Sequence, residues 1–168
     1  RRAAAVLVTS QRYLDTSMPL TPFRGKCRVV PLGVAPLTGR PSDDRVRAVR
    51  ATFGDRIVLT VGRLVGYKGI EYLVDAMAQV DAHLVVVGTG PLKPALLERA
   101  RAAGVANRVS FVGEVDDAGL YFEACDVFVL PSVTRNEAFG IVQLEAMAAG
   151  KPVVNTSINS GVPTVSID

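Results

Sequence analysis

The residues best suited to chemistry begin with two cations on a loop after a predicted strand. Arg63 and Lys68 lie in a segment that contains three glycines, Gly62-Arg63-Leu64-Val65-Gly66-Tyr67-Lys68-Gly69. Cations on such a loop can neutralise a diphosphate that gains charge as its bond to a sugar breaks, and they would replace a metal ion in that role. The alternative explanation for both residues is a solvated surface loop.

Two glutamates form the second candidate group. Glu137 comes just before a predicted helix, and Glu145 lies on that helix among apolar residues. A carboxylate in an apolar helix is costly to bury unless it accepts hydrogen bonds, which the vicinal hydroxyls of a ribose could donate. Glu137, near a helix N-terminus, would be stabilised as an anion and free to bond a second polyol such as a hexose. An acid on the exposed edge of the helix is the competing explanation for Glu145.

Loops after two further predicted strands extend this candidate site. Gly88-Thr89-Gly90 follows one strand, and Pro131-Ser132 follows another, ahead of Glu137 and Gly140. Glycine lets the backbone approach a ligand closely, and helix N-termini beside such loops present free N–H groups to an anion. The pattern indicates a phosphorylated ligand, with simple tight turns as the alternative.

Short β-branched runs alternate with longer helical patterns, and these elements must position the candidate residues. Strands are predicted at 57–61, 84–87, 109–112, 127–130 and 153–155, with 28–30 as an earlier member, and helices at 42–53, 69–80, 91–103, 117–123 and 140–149. The runs are apolar without alternation, which is typical of parallel strands covered by helices on both faces. The predicted fold class is α/β, a single Rossmann-like domain with a doubly wound parallel sheet. Such sheets bind ligands beyond the carboxyl ends of their strands.

Composition and charge exclude several classes of protein. The 168 residues are 49% hydrophobic and 21% charged, which is typical of one globular domain and not of a disordered chain. The net charge of +3 is too small to indicate a nucleic-acid partner. Residues 1–50 hold ten basic and three acidic side chains. This basic flank is compatible with peripheral contact with an anionic membrane or another partner, or with a solvated surface.

Cysteine and histidine usage gives no sign of a disulfide framework or a metal site. Cys27 and Cys125 are far apart and adjoin apolar residues, so we expect buried free thiols and a cytoplasmic location. The sequence has no Asp-x-Asp pair and no metal-ligand spacing, so no metal is expected. His83, at the start of a strand, is expected to be structural.

Four segments in order resemble the C-terminal donor-binding domain of retaining glycosyltransferases with the GT-B fold, glycosyltransferase family 4 (group 1). The segments are Val61-Gly62-Arg63-Leu64 with Lys68-Gly69-Ile70, Val86-Val87-Gly88-Thr89-Gly90-Pro91-Leu92, Val109-Ser110-Phe111-Val112-Gly113, and Pro131-Ser132 through Lys151-Pro152-Val153-Val154. The last contains a pair of glutamates separated by seven residues, Glu137 and Glu145. The resemblance covers nearly all of residues 28–163.

The resemblance implies a role for each candidate residue. It implies that Arg63 and Lys68 bind the donor diphosphate and stabilise the leaving group, and that Glu145 holds the ribose hydroxyls. It also implies that Glu137, with the backbone around 139–141, contacts the transferred sugar and phosphate. The residues of that backbone segment are Phe139, Gly140 and Ile141. By the same resemblance, the segment Val112-Gly113-Glu114 lies near the nucleobase, and Gly62 lets the diphosphate approach.

Members of the family transfer a sugar from a nucleotide donor with retention of configuration and without an essential metal. The resemblance therefore implies a UDP or GDP hexose as donor and no further cofactor. It implies an acceptor glycan or lipid-linked glycan in surface polysaccharide or glycolipid synthesis, and a cytoplasmic location that is compatible with the inner face of the membrane. Residues 1–27 are predicted to be a linker or the tail of a preceding acceptor domain, and 28–168 a donor-binding domain truncated at its C-terminal end. The chain alone is expected to bind nucleotide weakly and to transfer little or no sugar.

Two other functions are compatible with parts of the pattern. A non-catalytic nucleotide- or sugar-binding module of the same fold would keep the same loops. A nicotinamide-dependent oxidoreductase is disfavoured because its G-x-G-x-x-G fingerprint is incomplete. Gly88 and Gly90 are followed by Pro91-Leu92-Lys93, with no third glycine.

Overall fold

Two parallel sheets organise the chain in the computed structural model, which describes residues 3–34 and 39–166. The strands are β1 (Val6–Val8), β2 (Cys27–Val29), β3 (Ile57–Val61), β4 (His83–Val87), β5 (Val109–Gly113), β6 (Val127–Leu130) and β7 (Val153–Asn155). The helices are α1 (Gln11–Thr16), α2 (Asp43–Phe53), α3 (Ile70–Ala76), α4 (Lys93–Ala102), α5 (Ala118–Ala124) and α6 (Val142–Ala148). Arg1 and Arg2 of the basic flank lie outside the described residues.

The larger sheet has five strands in the order β5-β4-β3-β6-β7, all parallel. The first strand of this sheet, β3, lies in its middle. β4 and β5 follow on one side of β3, and β6 and β7 lie on the other side. The strand order therefore reverses between β3 and β6, and the crevice at such a switch point is where open α/β sheets bind ligands. This arrangement confirms the predicted doubly wound fold.

Both faces of the sheet are covered, which explains why the strands lack alternation. Side chains on one face of the sheet, such as Val58, Leu84 and Val86, pack in a core with α3 and α4. Their neighbours Leu59 and Val85 point to the opposite face, where they join a second core that includes side chains of α5 and α6. Two buried layers thus hold the carboxyl ends of the strands at one common edge.

The predicted strand at 28–30 forms but does not join this sheet, so that part of the prediction is wrong. β2 pairs in parallel with β1, in the register Val6↔Cys27 and Val8↔Val29. The connecting helix α1 supplies Leu14 to a small separate core with Val8 and Cys27. A run of three residues shows that a strand exists, but its pattern does not identify its partner.

The predicted helices all form; four are shorter than predicted, and α5 keeps the predicted length but begins one residue later. The helix expected from 140 begins at Val142 because Gly140 adopts a left-handed conformation with φ 73°. The helix expected over 69–80 is α3 followed by a 3₁₀ turn, Met77–Gln79. Cys27 and Cys125 are buried free thiols, as predicted, and burial raises the pKa of Cys125 to about 11. Within residues 3–34 and 39–166, no helix combines the length and apolar character that crossing a membrane requires.

Candidate functional site

The loops after β3 and β4 are joined by backbone hydrogen bonds at the carboxyl edge of the sheet. The Gly62 amide donates to the Val87 carbonyl (2.9 Å), and the Leu64 amide donates to the Thr89 carbonyl (2.9 Å). The Leu92 amide in turn donates to the Leu64 carbonyl (3.1 Å). These bonds place the two glycine-rich loops side by side.

Gly88 allows this close approach. It has φ 127°, and a Cβ at this position would lie 2.1 Å from the Gly62 carbonyl oxygen. Its amide also donates to the Gly113 carbonyl (2.7 Å), so the same residue joins the ends of β4 and β5. Only glycine satisfies both the backbone conformation and the contact.

A cleft of about 530 Å³ opens beside these loops, within the usual size of small-molecule sites. It is lined by the last residues of β3 and β4 and by residues that follow β3, β4 and β5, namely Val61, Gly62, Arg63, Val87, Gly88, Thr89, Gly90, Glu114, Val115 and Ala118. Arg63 is exposed, and its guanidinium makes no hydrogen bond or ion pair with any described residue. The cleft therefore carries a cation that is available to an anionic ligand.

An ion pair spans the switch point of the sheet. The Lys68 ammonium, after β3, donates to Glu137 Oε2, after β6, at 2.5 Å, and the side chains are only 12% and 13% exposed. Ser132 Oγ donates to the same carboxylate oxygen at 3.2 Å. Sequence patterns do not reveal this pair, because its members are 69 residues apart and the strand order is needed to bring them together.

Gly62 connects the ion pair to the cleft. A Cβ on Gly62 would lie 3.3 Å from both Cε and Nζ of Lys68. The ammonium of Lys68 therefore lies over the Gly62 backbone, while Gly62 and Arg63 line the cleft. The structure places Gly62, Arg63, Lys68 and Glu137 next to one another at the carboxyl edge of the sheet, and their roles stay predictions.

The segment before Glu137 is held tightly against the β3 loop. The Val133 amide donates to the Tyr67 carbonyl (2.9 Å), and Gly69 approaches so closely that a Cβ there would lie 2.2 Å from the Pro131 oxygen. On the other side, Thr156 Oγ1, just beyond β7, donates to the Ser132 carbonyl. Residues 131–133 are thus held between the loop after β3 and the segment after β7.

Glu145 lies half-buried on α6, next to the core residue Ala146. Its carboxylate makes no hydrogen bond with a described residue, and burial raises its pKa. The structure shows no contact between Glu145 and Arg63 or Lys68, so the ribose role stays a prediction.

Phe139, Gly140 and Ile141 form the entry to α6 and differ in exposure. Phe139 and Gly140 are buried, whereas Ile141 is exposed. Gln143 is fully buried and donates to the Phe139 carbonyl at 3.2 Å, while Asn155 Nδ2 donates to Gln143 Oε1 at 2.6 Å. This buried amide pair anchors the α6 entry to β7, and no sequence motif indicates it.

A second unanticipated contact ties the loop before Glu137 to the N-terminal part of the chain. Arg135 Nη1 donates to the Thr16 carbonyl (2.7 Å), and its guanidinium lies 5.5 Å from the centre of the Tyr13 ring. The loop therefore has a fixed neighbour in α1.

Comparison with known proteins identifies the family of this chain. The family model for glycosyl transferases group 1 matches residues 55–168. The chain belongs to this family. The D-rhamnosyltransferase WbpZ of Pseudomonas aeruginosa is 36% identical over an alignment of 165 residues, and the match covers 96% of this chain and 43% of that protein. The O-antigen chain mannosyltransferase C of Escherichia coli is 33% identical over an alignment of 165 residues, and the match covers 97% of this chain and 44% of that protein.

The group 1 glycosyltransferase chain thus spans less than half the length of these relatives. Its fold is similar to that of Anabaena HepE in a crystal structure with UDP and glucose, with a TM-score of 0.87 and 26% identity. The match covers 99% of this chain and 47% of HepE. The fold is that of the C-terminal Rossmann-like domain of GT-B glycosyltransferases, as the sequence predicts.

In this group 1 glycosyltransferase, the segment predicted to lie near a nucleobase ends β5. Gly113 pairs with Val87 at an irregularity in the ladder, and the half-buried Val112 packs against the core that includes α5 and α6. Glu114 and Val115 follow and line the cleft. The segment therefore reaches the cleft, and the base contact of Val112 and Gly113 stays a prediction.

No described part of the chain gathers three His, Cys, Asp or Glu side chains as a metal site would require. His83 lies at the start of β4, at the opposite edge of the sheet, where its Nε2 and Ser110 Oγ are 2.8 Å apart. Burial lowers the pKa of His83. These contacts agree with a structural role.

Proposed function

We propose that this chain binds the diphosphate of a nucleotide sugar at the carboxyl edge of β3, β4 and β6, as the donor half of a retaining glycosyltransferase. The observation that carries the proposal is that Gly62 and Arg63 line the cleft while the Lys68 ammonium lies over the Gly62 backbone. Lys68 has three N–H donors, and its contact with Glu137 engages one of them. Two remain for phosphate oxygens beside the guanidinium fork of Arg63.

The chemistry follows from this charge distribution. The bond between the anomeric carbon and the diphosphate breaks, and the diphosphate departs with the electron pair. The acceptor hydroxyl forms the new bond to that carbon and gives its proton to an oxygen of the departing diphosphate. Preorganised cations stabilise the charge that develops on the leaving group, in the role that a metal ion fills elsewhere. Glu137 is placed beside Lys68, where its second oxygen can accept a hydrogen bond from a sugar hydroxyl.

Relatives support a hexose donor carried by UDP or GDP. One relative is named a mannosyltransferase, and HepE was crystallised with UDP and glucose. We propose that the longer protein transfers such a hexose to a glycan or lipid-linked glycan in surface polysaccharide or glycolipid synthesis, at the cytoplasmic face of the membrane. The chain by itself supplies donor binding and is expected to transfer little or no sugar.

Calorimetry with UDP, GDP and ADP, and with UDP-glucose and GDP-mannose, tests the proposal directly. We expect one of the diphosphates to bind, with an affinity that EDTA does not change because Arg63 and Lys68 neutralise the phosphates. Binding of none of these compounds would contradict the proposal, and a loss of affinity in EDTA would contradict the metal-free site.

Replacing Glu145 by glutamine should weaken nucleotide binding by about 1–3 kcal/mol, because the ribose hydroxyls would lose a charged acceptor. Calorimetry with UDP and 2′-deoxy-UDP measures the effect, which should shrink for the deoxy compound. Glu98→Gln, which makes the same change on the exposed face of α4, is the matched control and should leave affinity unchanged. Equal affinity of Glu145→Gln and the unsubstituted chain would remove the ribose role.

The same variant separates the pH dependence of Glu145 from that of other groups. Burial raises the pKa of Glu145, and hydroxyl donors bind its charged form. Affinity for a nucleotide sugar should therefore fall as the pH drops below that pKa, and Glu145→Gln should lose this part of the pH dependence. Identical pH profiles would show that Glu145 does not contact the nucleotide.

A further inference from the structure

We propose that Ser132 is a positioning residue that orients the Glu137 carboxylate toward the sugar of the donor, an inference that rests on the proposed function. Ser132 is 0% exposed, and its hydroxyl donates to Glu137 Oε2 at 3.2 Å. A buried hydroxyl next to a nearly buried ion pair has few other partners, so this hydrogen bond is its main interaction.

The two hydrogen bonds to Glu137 converge on one carboxylate oxygen. Oε2 accepts from the Lys68 ammonium at 2.5 Å and from Ser132 Oγ at 3.2 Å, whereas Oε1 accepts from no described residue. The ammonium alone would permit the carboxylate to rotate and offer either oxygen. With a second donor on Oε2, the carboxylate has a defined orientation and Oε1 stays available to a hydroxyl.

Ser132 is suited to this role because its backbone is fixed more firmly than that of Glu137. The Ser132 carbonyl accepts from Thr156 Oγ1, and the next amide, of Val133, donates to Tyr67. The Glu137 amide donates only within its own turn, to the Thr134 carbonyl at 3.1 Å. The Ser132 hydroxyl thus holds the Glu137 side chain, which lies on a loop, in a fixed position relative to the edge of the sheet.

A merely structural role of Ser132 would have a different signature. If the hydroxyl only stabilised the loop, its loss would weaken the binding of nucleoside diphosphates and nucleotide sugars by the same factor. If it orients Glu137, its loss should act on the sugar alone. The informative quantity is the dissociation constant of the nucleotide sugar divided by that of the corresponding nucleoside diphosphate.

We expect Ser132→Ala to worsen the affinity for GDP-mannose or UDP-glucose about five-fold relative to GDP or UDP, a loss as small as that of one neutral hydrogen bond because Glu137 keeps its carboxylate and loses only its orientation. Ser132→Thr, which keeps the hydroxyl, should restore the ratio. Ser110→Ala removes a hydroxyl at the opposite edge of the sheet and should leave the ratio unchanged. Thermal unfolding of each variant identifies any variant that fails to fold.

A double-mutant cycle keeps the proposal testable if Ser132→Thr is too large for its buried position. In a Glu137→Ala background, Ser132→Ala should no longer change the ratio, because the group it orients is absent. An unchanged ratio in Ser132→Ala, or an equal change in both backgrounds, would overturn the positioning role and leave the proposed function intact. Failure of the unsubstituted chain to bind any of the four compounds would overturn the proposed function, and this inference with it.

Discussion

Replacing Arg63 and Lys68 together by alanine should weaken the binding of UDP or GDP at least about 100-fold, since hydrogen bonds to charged groups contribute about 1.5–3 kcal/mol each. The reason is that the exposed Arg63 lines the cleft, and the ammonium of Lys68 lies over the backbone of Gly62, the residue before Arg63. Uridine or guanosine, which lacks the diphosphate, should lose at most about two-fold. Calorimetry with each nucleoside and its diphosphate measures the difference.

The control for this experiment must remove the same charge from elsewhere. Lys26→Ala with Arg47→Ala removes one lysine and one arginine side chain, both of which are exposed and do not line the cleft. This pair should leave affinity nearly unchanged at ordinary salt, where exposed charges at a distance are screened. Equal losses for the nucleoside and its diphosphate in the Arg63 and Lys68 variant would contradict the assignment of the two cations.

The single variants should differ in a way that reports the ion pair. Arg63→Ala removes a cation without leaving an uncompensated partner, because Arg63 pairs with no described residue. Lys68→Ala leaves the nearly buried Glu137 carboxylate unpaired beside the phosphates. The loss from Lys68→Ala should therefore be the larger of the two, and it should shrink when Glu137 is replaced by alanine as well.

The sheet could be predicted from sequence because its burial is uniform. Strands such as β3 and β4 lie between two helical layers, so their runs stay apolar on both faces and stand out from the periodic helices. β2 could be placed as a strand but not in its sheet, because it has three residues and pairs with a strand from the segment before it. Which strand β2 pairs with depends on packing between distant parts of the chain, and the sequence of three residues does not encode that packing.

The sequence indicates candidate residues for the site but not the contacts between them. The types and motif positions of Arg63, Lys68 and Glu137 indicate phosphate and sugar chemistry. That Lys68 pairs with Glu137, and that Ser132 shares the same carboxylate oxygen, follows only from the adjacency of β3 and β6. Strand order is a property of the whole fold, so local patterns do not contain it.

Replacing Gly88 by alanine should lower the free energy of unfolding by about 3–5 kcal/mol, in the range of the most damaging single substitutions. Two costs add at this position. The residue must keep φ 127°, which strains any side-chain-bearing residue, and its Cβ would lie 2.1 Å from the Gly62 oxygen. Relief requires the β3 and β4 loops to separate, which breaks the hydrogen bond from the Gly62 amide to the Val87 carbonyl. Denaturant unfolding measures the loss.

Gly104→Ala separates the two costs. Gly104 has φ 70°, but a Cβ there would have nothing within 4 Å, so this variant has the cost of a positive φ without a clash. It should cost only about 1 kcal/mol and leave nucleotide affinity unchanged. Gly88→Ala should in addition lose nucleotide affinity under conditions where it is folded, because Gly62 and Arg63 move with the displaced loop. If the two variants were equally stable, the contact between Gly88 and Gly62 would not determine the geometry of the cleft.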